Sequence, residues 1–427
     1  MSSSRLVVAT ALLCACSSSP AMHDDLSCGP GTQPINDECV PIAPDAGHDG
    51  PTPDAPVDGR PDAPPDAPPD APPDAAPDAA IQPDEATSFA IDPAHDNLQP
   101  TDTIASPLTP AWTATFGGHV WYPLVVGKMA IISSGDTPAT VRALDITTGA
   151  IVWGPVVVGN PVQLSVDHDR VFALDMSGHL TALSLVTGLH LWTIQIFGEN
   201  LFDSPPVAIG GIVYINARGS GGETYAFDET DGSTIWSHST FSGTWGCVAV
   251  SSGVVYEGEG CHLVAWNALT GAQQWSYAGM CNSAGSAAPA VHGGKIWQRD
   301  YMTHTIYDSS GNPVGAFAAS APPAFDGNLA FYQSNGTVTA VDLTTSAVKW
   351  SFTGDGAICT APVVAGAGGQ VFVASQLGRV YELDATTGAQ KSMRNVGSPI
   401  TCYSETDGMT VAEGHLLVPV GNSLVVF

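Results

Sequence analysis

Short apolar runs separated by glycine-containing turns fill the chain from residue 108 to its carboxyl terminus. A typical unit starts with an apolar run that follows proline, SPPVAI (204–209), and continues after a tight turn with IVYINA (212–217). A third run ends in an acidic residue, and a fourth contains tryptophan. Runs of this length between glycine turns are typical of antiparallel strands, and no segment shows the 3.6-residue spacing of a helix. We therefore predict four short antiparallel strands per unit.

The end of the unit recurs about every forty residues, which is the spacing of a repeat architecture. We place its marker at a tryptophan in six units, at Phe317 in another and at Met393 in a degraded copy, ELDATTGAQKSM (382–393). The copies that end in tryptophan are ALDITTGAIVW (143–153), ALSLVTGLHLW (182–192), AFDETDGSTIW (226–236), AWNALTGAQQW (265–275) and AVDLTTSAVKW (340–350). The marker tryptophans are Trp112, Trp153, Trp192, Trp236, Trp275 and Trp350.

Four-stranded units repeated along a chain predict an all-β fold, a β-propeller of four-stranded antiparallel blades. An open stack of sheets is the alternative, but it would leave more exposed strand edges. The stretch LTPAWTATF (108–116) supplies a marker strand with no strands before it, and residues 398–427 supply three strands with no marker. We therefore predict an eight-bladed β-propeller over residues 101–427, whose last blade is closed by the N-terminal strand 108–116.

The polar residues of the motif have structural roles in this reading. The carboxylate of an aspartate can cap the backbone of the following turn, and glycine supplies the positive φ that such a turn needs. The tryptophan can pack over the neighbouring blade and bury up to about 200 Å². We therefore interpret the six tryptophans as docking residues, and we expect turn caps rather than catalytic acids at Asp145, Asp228, Asp342 and Asp384.

The motif A-x-D-x-x-T-G-x-x-x-W, over residues 108–427, resembles the tryptophan-docking repeat of the quinoprotein-like (PQQ-like) β-propellers. That superfamily includes quinone-dependent alcohol dehydrogenases and propeller lipoproteins of the BamB type. The resemblance implies that a dehydrogenase would need adjacent cysteines, a calcium site and cations for the carboxylates of the quinone. The chain has no Cys-Cys pair and no matching cluster of carboxylate and amide side chains. We therefore expect no cofactor, no metal and no enzymatic activity, and we favour the BamB-like branch.

The first residues have the form of an export signal. Arg5 precedes an apolar run over residues 6–15, which is too short to span a bilayer as a mature helix. The run ends in LCAC (13–16), which resembles a bacterial lipobox, so we expect residues 1–15 to be removed and Cys16 to be lipidated. In such lipoproteins, Ser17 after the cysteine implies transfer to the outer membrane. Cleavage near Ala21 by an ordinary signal peptidase is the alternative.

A small knot and a stalk are expected between the signal and the propeller. Residues 16–40 contain the turn-rich stretch CGPGTQPINDEC, in which we expect Cys28 to bridge Cys39. Residues 41–100 are rich in proline, aspartate and alanine. Such a composition buries too little apolar surface to fold, and proline with spaced charges keeps the chain extended. We expect a disordered stalk; a spacer without a specific role is the alternative.

The net charge of the chain limits the classes of partner that it can bind. The chain has 12 Lys and Arg against 41 Asp and Glu, a net charge of −29. This excludes nucleic acid, which binds clusters of cationic side chains, and disfavours direct adhesion to anionic lipid. The cysteines fit an oxidising compartment. Cys359 and Cys402 hold equivalent places in consecutive blades, so we expect a bridge between them, whereas Cys281 could join Cys247 or Cys261.

Four aromatic residues outside the docking set are predicted to share one side of the disc with the late cysteines. We interpret them as a mouth that binds a partner or a glycan, since exposed aromatics are common binding anchors; the alternative is that they fill the inner ring between blades. They are Trp121, Tyr122, Trp245 and Tyr403. The sequence DHD (167–169) could bind a metal, but we favour a solvated turn between strands.

Together these observations predict an exported outer-membrane lipoprotein whose propeller is a non-enzymatic, monomeric, protein-binding scaffold in the cell envelope. A surface-displayed module that binds carbohydrate or protein is the alternative, and a PQQ-dependent dehydrogenase is disfavoured. The expected partners are an envelope protein or a glycan, with the membrane contacted through the N-terminal lipid. Whether the propeller faces the periplasm or the cell surface is left open by the sequence.

Overall fold

A computed structural model describes the strands at residues 32–35 and 38–41, and residues 84–427 apart from 136–137, 160–161, 220, 241–245, 261, 280–287, 300–303 and 403–406. The chain divides into two compact units, Met1–Ala71 and Pro72–Phe427. In the first unit β1 (Thr32–Ile35) pairs antiparallel with β2 (Glu38–Pro41). The predicted signal, Cys16, Cys28, the side chain of Cys39 and residues 42–83 of the predicted stalk lie outside the described residues.

The second unit is a ring of eight blades, each a four-stranded antiparallel sheet, as predicted. Blade 1 comprises β5 (Leu124–Val126), β6 (Met129–Ser134), β7 (Ala139–Asp145) and β8 (Ile151–Gly159). Blade 2 comprises β9 (Val162–Asp167), β10 (Arg170–Asp175), β11 (His179–Ser184) and β12 (His190–Gln195). Blade 3 comprises β13 (Val207–Ile209), β14 (Ile212–Ala217), β15 (Glu223–Asp228) and β16 (Thr234–Ser239). Blade 4 comprises β17 (Gly246–Ser251), β18 (Val254–Glu259), β19 (His262–Asn267) and β20 (Gln273–Ala278).

The second half of the ring repeats the pattern. Blade 5 comprises β21 (Ala290–His292), β22 (Lys295–Arg299), β23 (His304–Asp308) and β24 (Pro313–Ala316). Blade 6 comprises β25 (Ala324–Asp326), β26 (Leu329–Ser334), β27 (Thr337–Asp342) and β28 (Val348–Phe352). Blade 7 comprises β29 (Val363–Ala365), β30 (Gln370–Ala374), β31 (Arg379–Asp384) and β32 (Gln390–Asn395), with β3 (Leu98–Gln99) added beside β29. Blade 8 comprises β33 (Thr410–Ala412), β34 (His415–Val420), β35 (Ser423–Val426) and β4 (Trp112–Thr115).

Blade 8 closes the ring by joining the two ends of the propeller. Strand β4 pairs antiparallel with β35, from Trp112 opposite Val426 to Thr115 opposite Ser423. Strand β33 of the same blade contacts β5 of blade 1. The predicted closure by the strand at 108–116 is therefore confirmed, and both ends of the propeller are held in one sheet.

The first strand of each blade faces the central channel, and the fourth faces solvent. Neighbouring first strands contact each other around the ring, and β14, the second strand of blade 3, is buried along its whole length. Fourth strands such as β32 are largely exposed. Every regular element among the described residues is a strand, so this part of the chain has no helix long and apolar enough to span a bilayer.

Residues 84–104, here called the plug, cross the central channel. We expected a disordered stalk up to residue 100, and residues 84–100 correct that boundary. The plug is ordered because it buries large apolar side chains: Phe89, Ile91 and Ile104 are 4%, 1% and 2% exposed. The plug reverses direction at its tip, where Ser88 pairs with Ile91. This segment therefore belongs to the core of the propeller.

Backbone hydrogen bonds hold the plug to the first strands of many blades. Ala86 pairs with Val125 of blade 1, and β3 runs parallel to β29 of blade 7. Amide groups of blades 2, 4, 5 and 7 donate to carbonyl oxygens of the plug: Val166 to Thr87 (2.8 Å), Val250 to Pro93 (2.7 Å), Val291 to Ala94 (2.8 Å) and Val364 to Asn97 (3.0 Å). The plug thus satisfies donors of the inner strands that would otherwise face the channel.

Candidate functional site

The marker tryptophans connect each blade to the next. Each indole Nε1 donates to a backbone carbonyl oxygen that directly follows the capping position of the following blade. The six bonds are Trp112 to Ile146 (2.7 Å), Trp153 to Leu185 (2.7 Å), Trp192 to Glu229 (3.0 Å), Trp236 to Ala268 (2.9 Å), Trp275 to Ser309 (2.9 Å) and Trp350 to Ala385 (2.9 Å). These side chains lie between blades and present no site of their own.

A glycine in the turn of the next blade makes room for each indole. At Gly188, for example, φ is +68° and an added Cβ would lie 2.5 Å from Cε3 of Trp153. Both the positive φ and the close approach of the ring therefore require glycine. The same contact is made at Gly149, Gly232, Gly271, Gly311 and Gly388.

Two blades lack a docking tryptophan, and the pairing of their strands corrects our marker positions. Trp153 and Trp350 lie opposite alanines of the third strand. In blade 5 the equivalent pair is Ile306 with Gly315, and in blade 7 it is Glu382 with Ser392. Phe317 and Met393 are therefore not the markers of these blades; Gly315 and Ser392 hold the tryptophan positions.

The predicted turn caps bond the backbone of the turns that follow them. Asp145 Oδ1 accepts from the amides of Thr147 (3.1 Å) and Thr148 (2.8 Å). Hydrogen bonds from Thr345 and a nearby lysine ammonium lower the pKa of Asp342 to about 2. Asp228 and Asp384 bond the turns after them in the same way. Bonds to backbone amides favour the charged form, so these carboxylates are structural anions.

A disulfide joins blades 7 and 8. Cys359, before β29, is bonded to Cys402, before β33, and their Cα atoms are 5.9 Å apart. Cys247 is buried at the start of β17. Cys261 and Cys281 lie outside the described residues. The side of the disc that carries this disulfide is called the disulfide face below.

Only part of the predicted aromatic mouth can be located. Trp121 is half-buried on the disulfide face, with its ring 5.4 Å from that of His119. Tyr122 is 5% exposed, and its hydroxyl accepts from the amide of Ile91 in the plug (3.1 Å). Tyr122 therefore fills the inner ring and is not a surface anchor. Trp245 and Tyr403 lie outside the described residues.

The sequence analysis missed an exposed aromatic residue on the same face. Phe197 follows β12 and is 78% exposed. Its backbone carbonyl accepts from the hydroxyl of Tyr225 (2.8 Å), which fixes the position of the loop. Because it precedes the first strand of blade 3, Phe197 lies on the same side as Trp121. Nothing in the local motif distinguishes it from other loop residues, so only the fold reveals it.

The DHD segment forms the expected turn between β9 and β10, but only Asp169 is well solvated, with a side chain 59% exposed. Asp167 is 3% exposed and Glu229 of blade 3 is 6% exposed. His168 Nδ1 lies 3.0 Å from Glu229 Oε1 and 3.3 Å from Asp167 Oδ2. Burial raises the pKa of Glu229. Metal-ligating atoms of these three residues lie within 4.8 Å of one another, but Arg170 Nη1 is 3.4 Å from Glu229 Oε1. This cluster therefore fits an ion-pair group between blades 2 and 3.

A groove of about 390 Å³ lies between blades 5 and 6, where the docking tryptophan is missing. Its floor includes Gly315 in the tryptophan position and Ser346 in the glycine position, with a φ of 58°. The other apolar residues that line it come from both blades: Trp297, Ile306, Val314, Ala316, Phe317, Ala318, Tyr332, Val341, Leu343 and Val348. We call this the rim groove.

The sequence of the propeller matches a known protein family. A family model described as "Outer membrane protein assembly factor BamB" matches residues 105–277, 220–306 and 282–424. The chain belongs to this family. The predicted PQQ-like repeat is thereby confirmed, over the same region that forms the propeller.

Solved structures related to this BamB-family chain agree on the fold. The structure of BamB from Moraxella catarrhalis covers 74% of the chain, with 96% of its own length, at 18% identity and a TM-score of 0.57. A quinohemoprotein alcohol dehydrogenase from Comamonas testosteroni covers 81% of the chain, with 80% of its own length, at 15% identity and a TM-score of 0.64. At these identities the likeness concerns the fold alone.

Among curated proteins, the serine/threonine-protein kinase AfsK of Streptomyces coelicolor is 26% identical over 355 residues. That match covers 78% of the BamB-family chain and 37% of the kinase. The tetrathionate hydrolase of Acidianus ambivalens is 28% identical over 153 residues, which is 30% of the chain and 28% of the hydrolase. The chain thus matches little more than a third of the kinase and less than a third of the hydrolase.

Proposed function

We propose that this protein is a non-enzymatic binding scaffold of the cell envelope, held at the outer membrane by a lipid on Cys16. The observation that supports it best is the plug, which fills the channel with side chains of the chain itself. Burial lowers the pKa of His95 in the plug to about 4, so this ring is neutral at pH 7 and packs as part of a core. Binding is then the task of the outer surfaces.

The BamB family membership supports the envelope location and a protein partner. The family description is an assembly factor of outer-membrane proteins, and exposed aromatic residues are favoured in interfaces between proteins. The disulfide face offers Phe197 and the half-buried Trp121. We assign the partner contact to this face, and we take the propeller to act as a monomer.

A photo-crosslinking residue at position 197 of the full-length protein tests this in the native envelope. We expect one outer-membrane protein to be crosslinked and identified by mass spectrometry. The matched control is position 189, because Leu189 is 67% exposed at the opposite end of β12. Equal products from both positions, or no envelope protein from either, would contradict the proposal.

Anchoring is tested separately with Cys16→Ser. The wild-type protein should incorporate an alkyne-labelled fatty acid and sediment with outer membranes, and the variant should lose both properties. A variant that is still labelled, or that stays in the outer-membrane fraction, contradicts the lipid anchor and leaves the scaffold role untouched.

A further inference from the structure

Two departures from the repeat meet at the interface of blades 2 and 3. The first concerns the residue that follows the capping position, which is apolar and buried in four blades, as Ile146, Leu185, Ala268 and Ala385. In blade 3 this position holds Glu229, which is 6% exposed. Burying a carboxylate costs free energy unless other polar or charged groups replace the lost water. The packing of the repeat does not require Glu229, so its neighbours must explain it.

The second departure is a histidine in the turn between β9 and β10. Seven blades join their first two strands by a two-residue turn whose first residue has a positive φ, and four of them use glycine there: Gly127, Gly210, Gly293 and Gly327. In blade 2 this residue is His168, with a φ of 49°. A residue with a side chain is uncommon in this backbone region. The turn thus places an imidazole next to Glu229, where the repeat favours no side chain.

The side chains at this interface have the spacing of zinc ligands. Zinc bonds of about 2.0 Å to nitrogen and oxygen, in a tetrahedral site, place the ligand atoms about 3.3 Å apart. His168 Nδ1 lies 3.0 Å from Glu229 Oε1 and 3.3 Å from Asp167 Oδ2. One donor atom from each of the three residues lies within 4.8 Å of the other two. The three donors are therefore already close to the geometry that the metal needs.

One carboxylate is fixed by the backbone, and the other has a buried oxygen without a donor. Asp167 Oδ1 accepts from the amide of His168 (3.1 Å), and its Oδ2 accepts from the amide of Gly211 in blade 3 (2.9 Å). The side chain of Glu229 is 8% exposed, and its Oε2 has no hydrogen-bond partner among the described residues. A buried acceptor without a partner costs free energy, and a cation between the carboxylates would supply the missing contact.

The charges around the imidazole favour a dication. Asp167, Asp169 and Glu229 supply three carboxylates, whereas Arg170 supplies one guanidinium. Nη1 of Arg170 lies 3.4 Å from Glu229 Oε1 but 2.5 Å from Asp169 Oδ1, so its closer bond is to the exposed carboxylate. Burial raises the pKa of Glu229, and the charge of Asp167 adds to the effect. This direction is expected for a carboxylate with too little positive charge around it.

We propose that Asp167, His168 and Glu229 bind a zinc ion that links blades 2 and 3. A histidine nitrogen with carboxylate oxygens suits zinc, whereas calcium and magnesium take oxygen ligands. The side chain of His168 is 31% exposed, so solvent reaches the site and a water molecule can complete the tetrahedron. Without the metal, the same residues form the ion-pair group described above. The inference goes beyond the proposed scaffold role and replaces our expectation that the chain binds no metal.

Calorimetric titration of the chelator-treated, full-length protein with Zn²⁺ tests the site. Cysteines and histidines elsewhere in the chain can also bind zinc, so the readout is the difference between variants. Glu229→Leu gives blade 3 the residue that blade 2 has in the same position, Leu185, and therefore suits the fold. We expect the wild type to bind one equivalent of zinc that this variant does not bind. Equal stoichiometry and affinity in the two proteins would overturn the proposal.

A pair of histidine variants in the same blade provides the matched control. His168→Ala should lose the same equivalent of zinc as Glu229→Leu. His179→Ala should bind zinc as the wild type does, because His179 pairs with Asp175 (3.0 Å) and belongs to no three-ligand group in the described part of the chain. Equal binding by the two histidine variants would overturn the site. If Glu229→Leu does not fold, Glu229→Gln keeps the shape of the side chain and should weaken zinc binding at least tenfold.

Thermal unfolding gives a second readout, because a metal that binds only the native state stabilises it. Zn²⁺ should raise the Tm of the wild type and of His179→Ala by more than that of Glu229→Leu. Tighter binding of Ca²⁺ or Mg²⁺ than of Zn²⁺ at these residues would overturn the assignment to zinc. The result is independent of the scaffold role, since crosslinking through position 197 reports on a partner and not on the metal.

Discussion

At the scale of single residues, the docking tryptophan combines three roles in one side chain. Trp153 is 6% exposed, donates to Leu185 O and lies on Gly188 of the next blade. The hydrogen bond satisfies a carbonyl at the interface, and the ring excludes water from it. Because the contact is made with the neighbouring blade, each tryptophan contributes to the cohesion of the ring more than to its own sheet.

Trp153→Ala should lower the free energy of unfolding by about 3–5 kcal/mol, the cost typical of removing a buried large aromatic side chain. Urea unfolding followed by circular dichroism measures it. Ile151→Ala in the same strand is the control, since Ile151 is 59% exposed, and it should cost less than about 0.5 kcal/mol. Equal losses for the two variants would show that the indole is not a critical contact.

Glu257 makes stability depend on pH. It is 1% exposed, accepts from Trp266 Nε1 (2.8 Å), and burial raises its pKa to about 7. Between the ordinary pKa of a glutamate and about pH 7, the folded state holds a proton that the unfolded chain has lost. The free energy of unfolding therefore falls as pH rises through this range.

Glu257→Gln should remove this part of the pH dependence, which is on the order of 3 kcal/mol for a shift of this size. Urea unfolding at intervals from pH 4 to 8 gives the slope. Asp169→Asn, at a carboxylate whose side chain is 59% exposed, should leave the slope as in the wild type. A slope that Glu257→Gln does not change would assign the dependence to other groups.

At the scale of elements, the disulfide ties two blades across the loops before their first strands. It closes a loop of 43 residues in sequence, and the chain-entropy model gives a stabilisation of about 4 kcal/mol for such a loop. Cys359→Ser/Cys402→Ser should lose about this much free energy of unfolding. Reductant should destabilise the propeller of the wild type and leave that of the double variant unchanged; an equal effect on both would contradict the assignment.

Most features of the blades can be predicted from the sequence. Strand number, ring closure and the six docking tryptophans follow from a repeat that is regular in sequence. In blade 5 the turn after Asp308 is one residue shorter, because Gly311 rather than the next residue completes it. The sequence analysis took the aromatic Phe317 as the marker of this unit, whereas strand pairing places Gly315 at the tryptophan position. Because glycine replaces tryptophan there and the turn is shorter, the missing docking residue is hard to recognise in the sequence.

Contacts between side chains of neighbouring blades cannot be predicted from the sequence repeat. Asp167 and His168 of blade 2 meet Glu229, sixty-odd residues later, only because neighbouring blades bring their turns together. The local motif DHD contains no sign of the third residue. Similarly, the exposure of Phe197 depends on where a loop leaves the sheet. These features are visible only in the three-dimensional structure, because no periodic pattern in the sequence specifies them.

At the scale of the whole molecule, the plug turns a ring with a channel into a filled disc. Its sequence has no strand period and follows a proline-rich region, so composition assigned it to the stalk. Phe89 and Ile91 were the available signal, because two large apolar residues contradict a purely solvated segment. The propeller therefore gains part of its core from residues that precede its first blade.

Phe89→Ala should destabilise the protein by about 3–5 kcal/mol and weaken the whole plug. Hydrogen exchange should become faster at the amides that donate to it, those of Val166, Val250 and Val291. Phe197→Ala, at an exposed phenylalanine, should change neither quantity. Unchanged protection of the three amides in Phe89→Ala would show that the blades hold them without the plug.

The path of the plug determines how a pulling force would act on the molecule. The carbonyl of Asp84 accepts from the amide of Glu413, and Ala86 pairs with the innermost strand of blade 1. Tension applied through the residues before Asp84 would therefore act on the plug and on the inner strands that it pairs with. The force would be distributed over several sheets as shear, instead of peeling away one outer strand. A propeller tethered through its central plug should therefore resist a pulling force that would unfold a propeller tethered through an outer strand.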